Sequence, residues 1–327
     1  MIYKLTHTRV YRSYLGGENL DKLEGKEPHI TRFPEDWIAS VTTAFNPDRE
    51  MVNEGMSQTE EGDFLKDIIF SDKINMIGNR EGMSFLFKLL DSAERLVIQA
   101  HPTVEFAKKY FGSQYGKTEC WYILNDGGSV YIGFKEGVTK EYWKHLFETQ
   151  DIPKMLDCLH KFSVKRGDFI FVEGGVPHAI GENCFLAELQ EPTDLMVIPE
   201  KVTPSGVVLS EQKIHGGIGY EKMFDCFNYN GYDAETTKRE YFKKPHIINN
   251  NELVIVDKTV TDKFRFVEIN VDGEYEFFSD SYCVCVVISG NAEIGGYSLG
   301  LGDRIFVSDD EKGFFVKGTG KILVVQP

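Results

Sequence analysis

The chain lacks what a membrane or secreted protein would need. Nothing in its 327 residues approaches the run of about 18 apolar residues that a spanning helix requires. Met1 to Val10 interleaves Lys4, His7 and Arg9 with apolar positions and has no apolar core before a small-residue cleavage site, so no secretion signal is read there and a cytoplasmic location is expected. Cysteine is sparse and scattered. Cys120, Cys158, Cys184, Cys226, Cys283 and Cys285 form no C-x-x-C pair and no disulfide-like spacing, which points to reduced, buried thiols. Cys283 and Cys285 lie two apart in an apolar run, so on a strand they share a face. Positive charge is also short: 36 Lys and Arg stand against 51 Asp and Glu, a net charge of −15 that would repel nucleic acid or an anionic membrane over most of the surface. An anionic small molecule is not excluded, because it needs only a local cluster of cations. Nothing in the sequence fixes the oligomeric state.

With 42% apolar and 27% charged residues the balance is that of a soluble globular protein, and the length suits two domains better than one. Short runs of Val, Ile, Phe and Tyr separated by Gly, Asp and Asn recur from Ser163 onward and again from Thr259 to the end, the pattern of antiparallel β structure. Helices are expected at Gly82 to Leu90 and from about Lys140 to His160, where Trp143, Leu146, Phe147, Met155, Leu156 and Leu159 fall at helical offsets. One internal repeat stands out: Val164-Lys-Arg-Gly-Asp-Phe-Ile-Phe-Val172 is echoed by Leu299-Gly-Leu-Gly-Asp-Arg-Ile-Phe-Val307. The polar stretch Asn228 to Asn251 reads as a linker, giving a larger domain over residues 1–235 and a smaller one over 250–327.

Chemistry-bearing residues cluster in the first part. Leu96-Val-Ile-Gln-Ala-His-Pro102 reads as a strand on which Gln99 and His101 project to one face. In Gly116-Lys-Thr-Glu-Cys-Trp-Tyr-Ile-Leu124, Lys117 and Glu119 share a face in the same way. His178 follows a Gly-Gly-Val-Pro turn. Taken singly, each has an ordinary explanation as a hydrogen-bonding group. Together, two imidazoles, a carboxylate and an amide oxygen make a mixed nitrogen and oxygen set suited to a borderline ion such as Zn²⁺, with room for water or substrate and no thiolate.

The Gly167-Asp168 turn leading to His178 resembles the second conserved motif of the cupins, with Glu173 where proline is usual. The later copy runs from Gly302 into Ser308 with no histidine following. Five phrases, Phe85-Leu-Phe-Lys-Leu-Leu-Asp91, Ile98-Gln-Ala-His-Pro102, Gly116-Lys-Thr-Glu-Cys-Trp-Tyr122, Val176-Pro-His-Ala-Ile-Gly181 and Glu188-Leu-Gln-Glu-Pro-Thr-Asp194, resemble the type I mannose-6-phosphate isomerases in content and order. Tyr14-Leu-Gly-Gly17 and Pro34-Glu-Asp-Trp-Ile-Ala-Ser40 are similar to that family's N-terminal motifs. The resemblance implies a mostly β chain of two cupin (jelly-roll) barrels, the first decorated with helices and the second without metal. It implies one zinc ion per chain held by Gln99, His101, Glu119 and His178. Lys88, Lys117 and Asp194 fall on further family positions and are the catalytic candidates. The activity implied is interconversion of mannose 6-phosphate and fructose 6-phosphate through a cis-enediol, with a sugar phosphate as the small-molecule partner.

Two positions depart from the family. Val97 stands where it has serine, and Ile198 where it has an arginine facing the sugar phosphate. Isoleucine cannot replace a fork of donors. Three accounts follow: another cation such as Lys201 fills the gap, the substrate is a different or unphosphorylated sugar, or the chain is a sugar-binding relative without turnover. An iron-dependent dioxygenase is the reading from another class, and the Lys-Thr-Glu and Gln-Glu-Pro-Thr-Asp phrases speak against it.

Overall fold

Short β-branched and aromatic runs bounded by turn residues favour strands over helices. The computed structural model, which describes residues 1–49 and 51–327, arranges them in three antiparallel sheets. A seven-stranded sheet runs in the order Phe242–Lys243, Phe169–Val172, Glu119–Ile123, Cys184–Gln190, Leu86–Ser92, Glu35–Ile38, Arg9–Val10. A three-stranded sheet pairs Gly128–Phe134 with Leu159–Val164 on one side and His178–Ile180 on the other. The eight-stranded third sheet takes every strand from His246–Ile247 onward, together with Ile2–Leu5, which pairs with Arg304–Val307. Among the described residues no helix is long and apolar enough to cross a membrane.

Strand alternation builds the layers. One face of the seven-stranded sheet turns Trp121, Ile170, Val172 and Leu186 toward Val130, Ile132 and Ile180 of the three-stranded sheet. The other face turns Phe87, Leu89, Cys120, Tyr122 and Phe171 onto Phe266, Tyr282, Val284, Phe306 and Leu323 of the eight-stranded sheet. A third core, with Val267, Ile269, Cys283, Cys285, Ile305 and Val324, fills the interior of the eight-stranded layer. All six cysteines are free and buried.

The stretch from Gly82 to Leu90 is not a helix. Leu86–Ser92 is a strand between Glu35–Ile38 and Cys184–Gln190, and all seven of its residues are buried. With both faces covered it shows no apolar and polar alternation, and a short continuous apolar run cannot be told from a helix by period. The helical region after Lys140 is two helices, Lys140–Thr149 and Ile152–Asp157, and a strand begins at Leu159. The break falls at Gln150, in the left-handed region at φ 50°, just before Pro153 in the first turn of the second helix. Short helices Glu18–Leu23, Leu65–Ser71 and Lys73–Ile77 gave no legible period. The stretch expected to be a linker carries helix Ala234–Tyr241 and strand Phe242–Lys243, which closes one edge of the seven-stranded sheet.

The internal repeat is structural. Gly167 and Gly302 both adopt left-handed φ, 87° and 83°, a conformation that favours glycine. Each turn is clasped by its neighbouring strand in the same way: Gly167 N–H donates to Ile123 O at 2.9 Å and Ile123 N–H to Asp168 O at 3.0 Å, while Gly302 N–H donates to Val287 O at 2.8 Å and Val287 N–H to Asp303 O at 3.0 Å. The aspartate side chains also match, Asp168 accepting from Lys165 N at 3.0 Å and Asp303 from Gly300 N at 2.8 Å. Glu119 pairs with Val172 in the first copy, and Cys283 pairs with Val307 in the second. An apolar thiol thus occupies in the second copy the register position that bears a carboxylate in the first.

Candidate metal centre

Three strand ends bring the chemistry together. Glu119 opens a central strand, opposite Val172 on one side and Gln190 on the other. The alternation that buries Trp121 and Ile123 between the two sheets of the first half sends Glu119 the same way. His178 opens strand His178–Ile180 after a turn in which Gly175, at φ 90°, donates its N–H to His101 O at 2.7 Å. The run Leu96 to Pro102 is extended but makes isolated bridges only: Gln99 exchanges both backbone hydrogen bonds with His178, each 2.9 Å, and Ala100 pairs with Val197.

The side chains converge in a dry place. His101, Glu119 and His178 are at most 1% exposed, and their ligand atoms lie within 4.8 Å of one another. His101 Nε2 is 3.0 Å from one Glu119 carboxylate oxygen, and His178 Nε2 is 3.5 Å from the other. Each imidazole is oriented by its opposite nitrogen: Nδ1 of His101 lies 2.9 Å from Leu195 O, and Nδ1 of His178 lies 2.9 Å from Val176 O. A backbone carbonyl can only accept, so Nδ1 carries the proton and Nε2 turns a lone pair inward. Trp121 Nε1–H donates to Glu119 Oε1 at 2.9 Å.

Burial, with Lys117 beside it, lowers the His101 pKa, and burial takes His178 down to about 3. Burial opposes ionisation of Glu119, but Lys117 and the two histidines overcome it and hold the carboxyl well below its usual range. Neutral imidazoles and an ionised carboxylate thus face one another as acceptors. His178 Nε2 is buried with no hydrogen-bond partner among the described residues, and Glu119 Oε2, which also makes none, lies 3.1 Å from the Lys117 ammonium. A divalent cation fits such a donor set, two imidazole nitrogens and a carboxylate, and Gln99, whose backbone pairs with His178, lines the cleft alongside.

Beside this centre a cleft is lined by Gln99, Lys117, Lys88 and Asp194, and also by Val97 and Ile198. Lys117 Nζ is 3.0 Å from His101 Nε2 and 3.1 Å from Glu119. Lys88 projects from the middle of Leu86–Ser92 and is already paired, 3.1 Å from Glu188 and 3.4 Å from Glu35. Asp194 receives both terminal nitrogens of Arg12, at 3.0 and 3.1 Å, and the Phe45 N–H at 2.7 Å. Lys201 lies over the Phe147 ring at 4.9 Å and is not part of the lining.

Arg12, Tyr14, Glu35, Glu188 and Lys213 also line the cleft and were not singled out from sequence. A signal existed for two of them: Glu35 and Glu188 are charges set in strand-like apolar phrases. Burial and the nearby Glu119 carboxylate push the Glu188 pKa upward.

No protein-family model matches the chain. It is 25% identical over 272 residues, 80% of this chain and 81% of the relative, to the probable mannose-6-phosphate isomerase GmuF of Bacillus subtilis. Its fold superposes on the crystal structure of the mannose 6-phosphate isomerase from Bacillus subtilis with a TM-score of 0.78 at 20% identity, over 100% of this chain and 99% of that one. A mannose 6-phosphate isomerase crystallised with zinc and yttrium gives 0.72 at 17% identity, over 99% and 98% of the two chains. In sequence and in fold the chain is therefore similar to the mannose-6-phosphate isomerases, and its mostly β architecture is the cupin fold they share.

Proposed function

We propose that this chain is a metal-dependent aldose–ketose isomerase that interconverts mannose 6-phosphate and fructose 6-phosphate, with one zinc ion held by Gln99, His101, Glu119 and His178. The observation that carries the reading is the buried convergence of two imidazole lone pairs on a carboxylate at 3.0 and 3.5 Å. The cleft residues all come from positions 12 to 213, which supports assigning catalysis to residues 1–235.

Held by those residues, the zinc would supply Lewis acidity toward the sugar's carbonyl and hydroxyl oxygens, making the adjoining C–H more acidic. The chain's own residues do the rest. Lys117, a buried ammonium at the metal centre, meets the negative charge that develops on the sugar oxygens. Glu188 offers the cleft a buried carboxyl group for proton transfer, oriented by Lys88. Asp194, engaged by Arg12 and the Phe45 N–H, acts as a positioning residue. The proton leaves carbon 2, the C–H electron pair enters the C1–C2 bond and the C1 carbonyl pair moves to O1, which takes a proton to give the cis-enediol. O2 then loses its proton as the C2 carbonyl forms, and the C1–C2 pair takes a proton at carbon 1, so there is no net oxidation.

Following mannose 6-phosphate in deuterium oxide by NMR tests this reading. Fructose 6-phosphate carrying deuterium at carbon 1 is expected. Ketose formed with complete retention of hydrogen would replace proton transfer by a direct hydride shift, and no ketose from zinc-loaded protein would remove the isomerase reading.

A further inference from the structure

Four cationic side chains line the cleft, and three are neutralised within the protein. Arg12 is held by Asp194 and, at 3.0 Å, by Glu35. Lys88 is held by Glu188 and Glu35, and Lys117 by Glu119 at 3.1 Å. Lys213 differs. Among the described residues no carboxylate lies within 4.0 Å of its ammonium, which donates to Phe45 O and lies 5.4 Å from the Phe45 ring centroid. The residue is only 6% exposed, and burial with Arg12 nearby pulls its pKa down to about 8. Asp194 and Glu35 favour its charge only from beyond 4.0 Å, so the buried cation is incompletely compensated, and an incoming anion would offset that cost.

Its place in the fold fits an incoming ligand. Lys213 belongs to helix Glu211–His215, which the Ile198 backbone touches through a 2.8 Å hydrogen bond from its N–H to Ile214 O. Ile198 and Lys213 thus border the same part of the cleft, and Ile198 brings no charge to it. Lys213 also lines a second pocket with Ser13, Asn46 and Arg49, so it stands between that pocket and the cleft. In that pocket Arg49 Nε is buried without a hydrogen bond and lies 3.8 Å from Glu54.

We propose that Lys213 anchors the anionic end of the substrate, receiving the phosphate of a sugar phosphate whose carbonyl end faces the metal centre. The proposal rests on the reading of the chain as a sugar-phosphate isomerase, and it names the residue that selects phosphorylated over neutral sugar.

The test compares wild type, Lys213→Met and Lys213→Arg on mannose 6-phosphate and on mannose, with thermal melting as the check on folding. Lys213→Met should raise KM for mannose 6-phosphate about tenfold or more, the size of a lost charge-assisted hydrogen bond. The preference for mannose 6-phosphate over mannose, taken as the ratio of their kcat/KM values, should fall by the same factor, and Lys213→Arg should retain most of the affinity. An unchanged KM for mannose 6-phosphate, or equal losses on both sugars, overturns the anchor. Should wild type turn over neither sugar, calorimetry with inorganic phosphate separates the two readings. Phosphate binding that Lys213→Met abolishes keeps the anchor while the isomerase falls, and binding indifferent to residue 213, or no binding, sinks the anchor as well.

Discussion

Glu119 concentrates the energetics of the centre: it is buried, ionised, and faced by two imidazole lone pairs. Glu119→Gln keeps the shape and removes the charge. Zinc affinity in a competitive chelator titration should fall by more than the about 10- to 100-fold that losing an outer-shell partner costs. Trp121→Phe removes only the N–H that orients the carboxylate, and its loss should lie within that range. Unaltered affinity in Glu119→Gln would show that the metal lies elsewhere. Gln99, His101, Glu119, His178 and Lys117 were singled out in the sequence by family-like phrases, with period-two spacing placing Gln99 with His101 and Lys117 with Glu119, and the fold brings His101, Glu119 and His178 together. Arg12 and Lys213 were not singled out, since a single cation in a loop or in a five-residue helix announces nothing until the fold closes around it.

Leu86–Ser92 is the element on which both layers depend, with Lys88 on its cleft side and Phe87 and Leu89 in the core shared with the eight-stranded sheet. Phe87→Ala should cost about 3–5 kcal/mol in denaturant unfolding, because the cavity opens where two sheets meet and neither can collapse alone. A cost near zero would mean that this face is not a rigid core. The same strand was the least legible in the sequence, its seven buried residues hiding the alternation that elsewhere revealed strands. The repeated Gly-Asp turn was legible as a motif, and the two copies differ in a testable way. A Cβ at Gly167 meets nothing within 4 Å, whereas one at Gly302 meets Leu23 O at 2.7 Å. Gly167→Ala should therefore cost only the left-handed strain of about 1–2 kcal/mol, and Gly302→Ala measurably more. Equal costs would contradict the placement of Gly302 against Leu23.

At the scale of the molecule, the eight-stranded sheet is tied to the first half by its shared core and by a buried polar contact. Arg304 donates to Asp36 and contacts the His7 ring, placing a guanidinium against two members of the His7, Glu24 and Asp36 group. Arg304→Met leaves Asp36 buried without its main counter-charge and should cost about 3–5 kcal/mol near neutral pH. Burial raises the Asp36 pKa, but Arg304 and His7 outweigh it and hold the carboxyl well below its usual range. Its contribution is therefore fully present above the unfolded-state pKa, near 3.9, and is lost as pH falls through the lower folded value. The gap in melting temperature between wild type and Arg304→Met should accordingly be widest above about pH 4 and close in acid. A gap independent of pH would deny Asp36 its part. For the function as a whole, the most direct measurement is the rate of fructose 6-phosphate formation from mannose 6-phosphate by zinc-loaded, chelator-stripped and His101→Ala protein. A rate that needs zinc, returns on reloading and is absent from His101→Ala is the expected result; one bound zinc per chain with no ketose formed would contradict it.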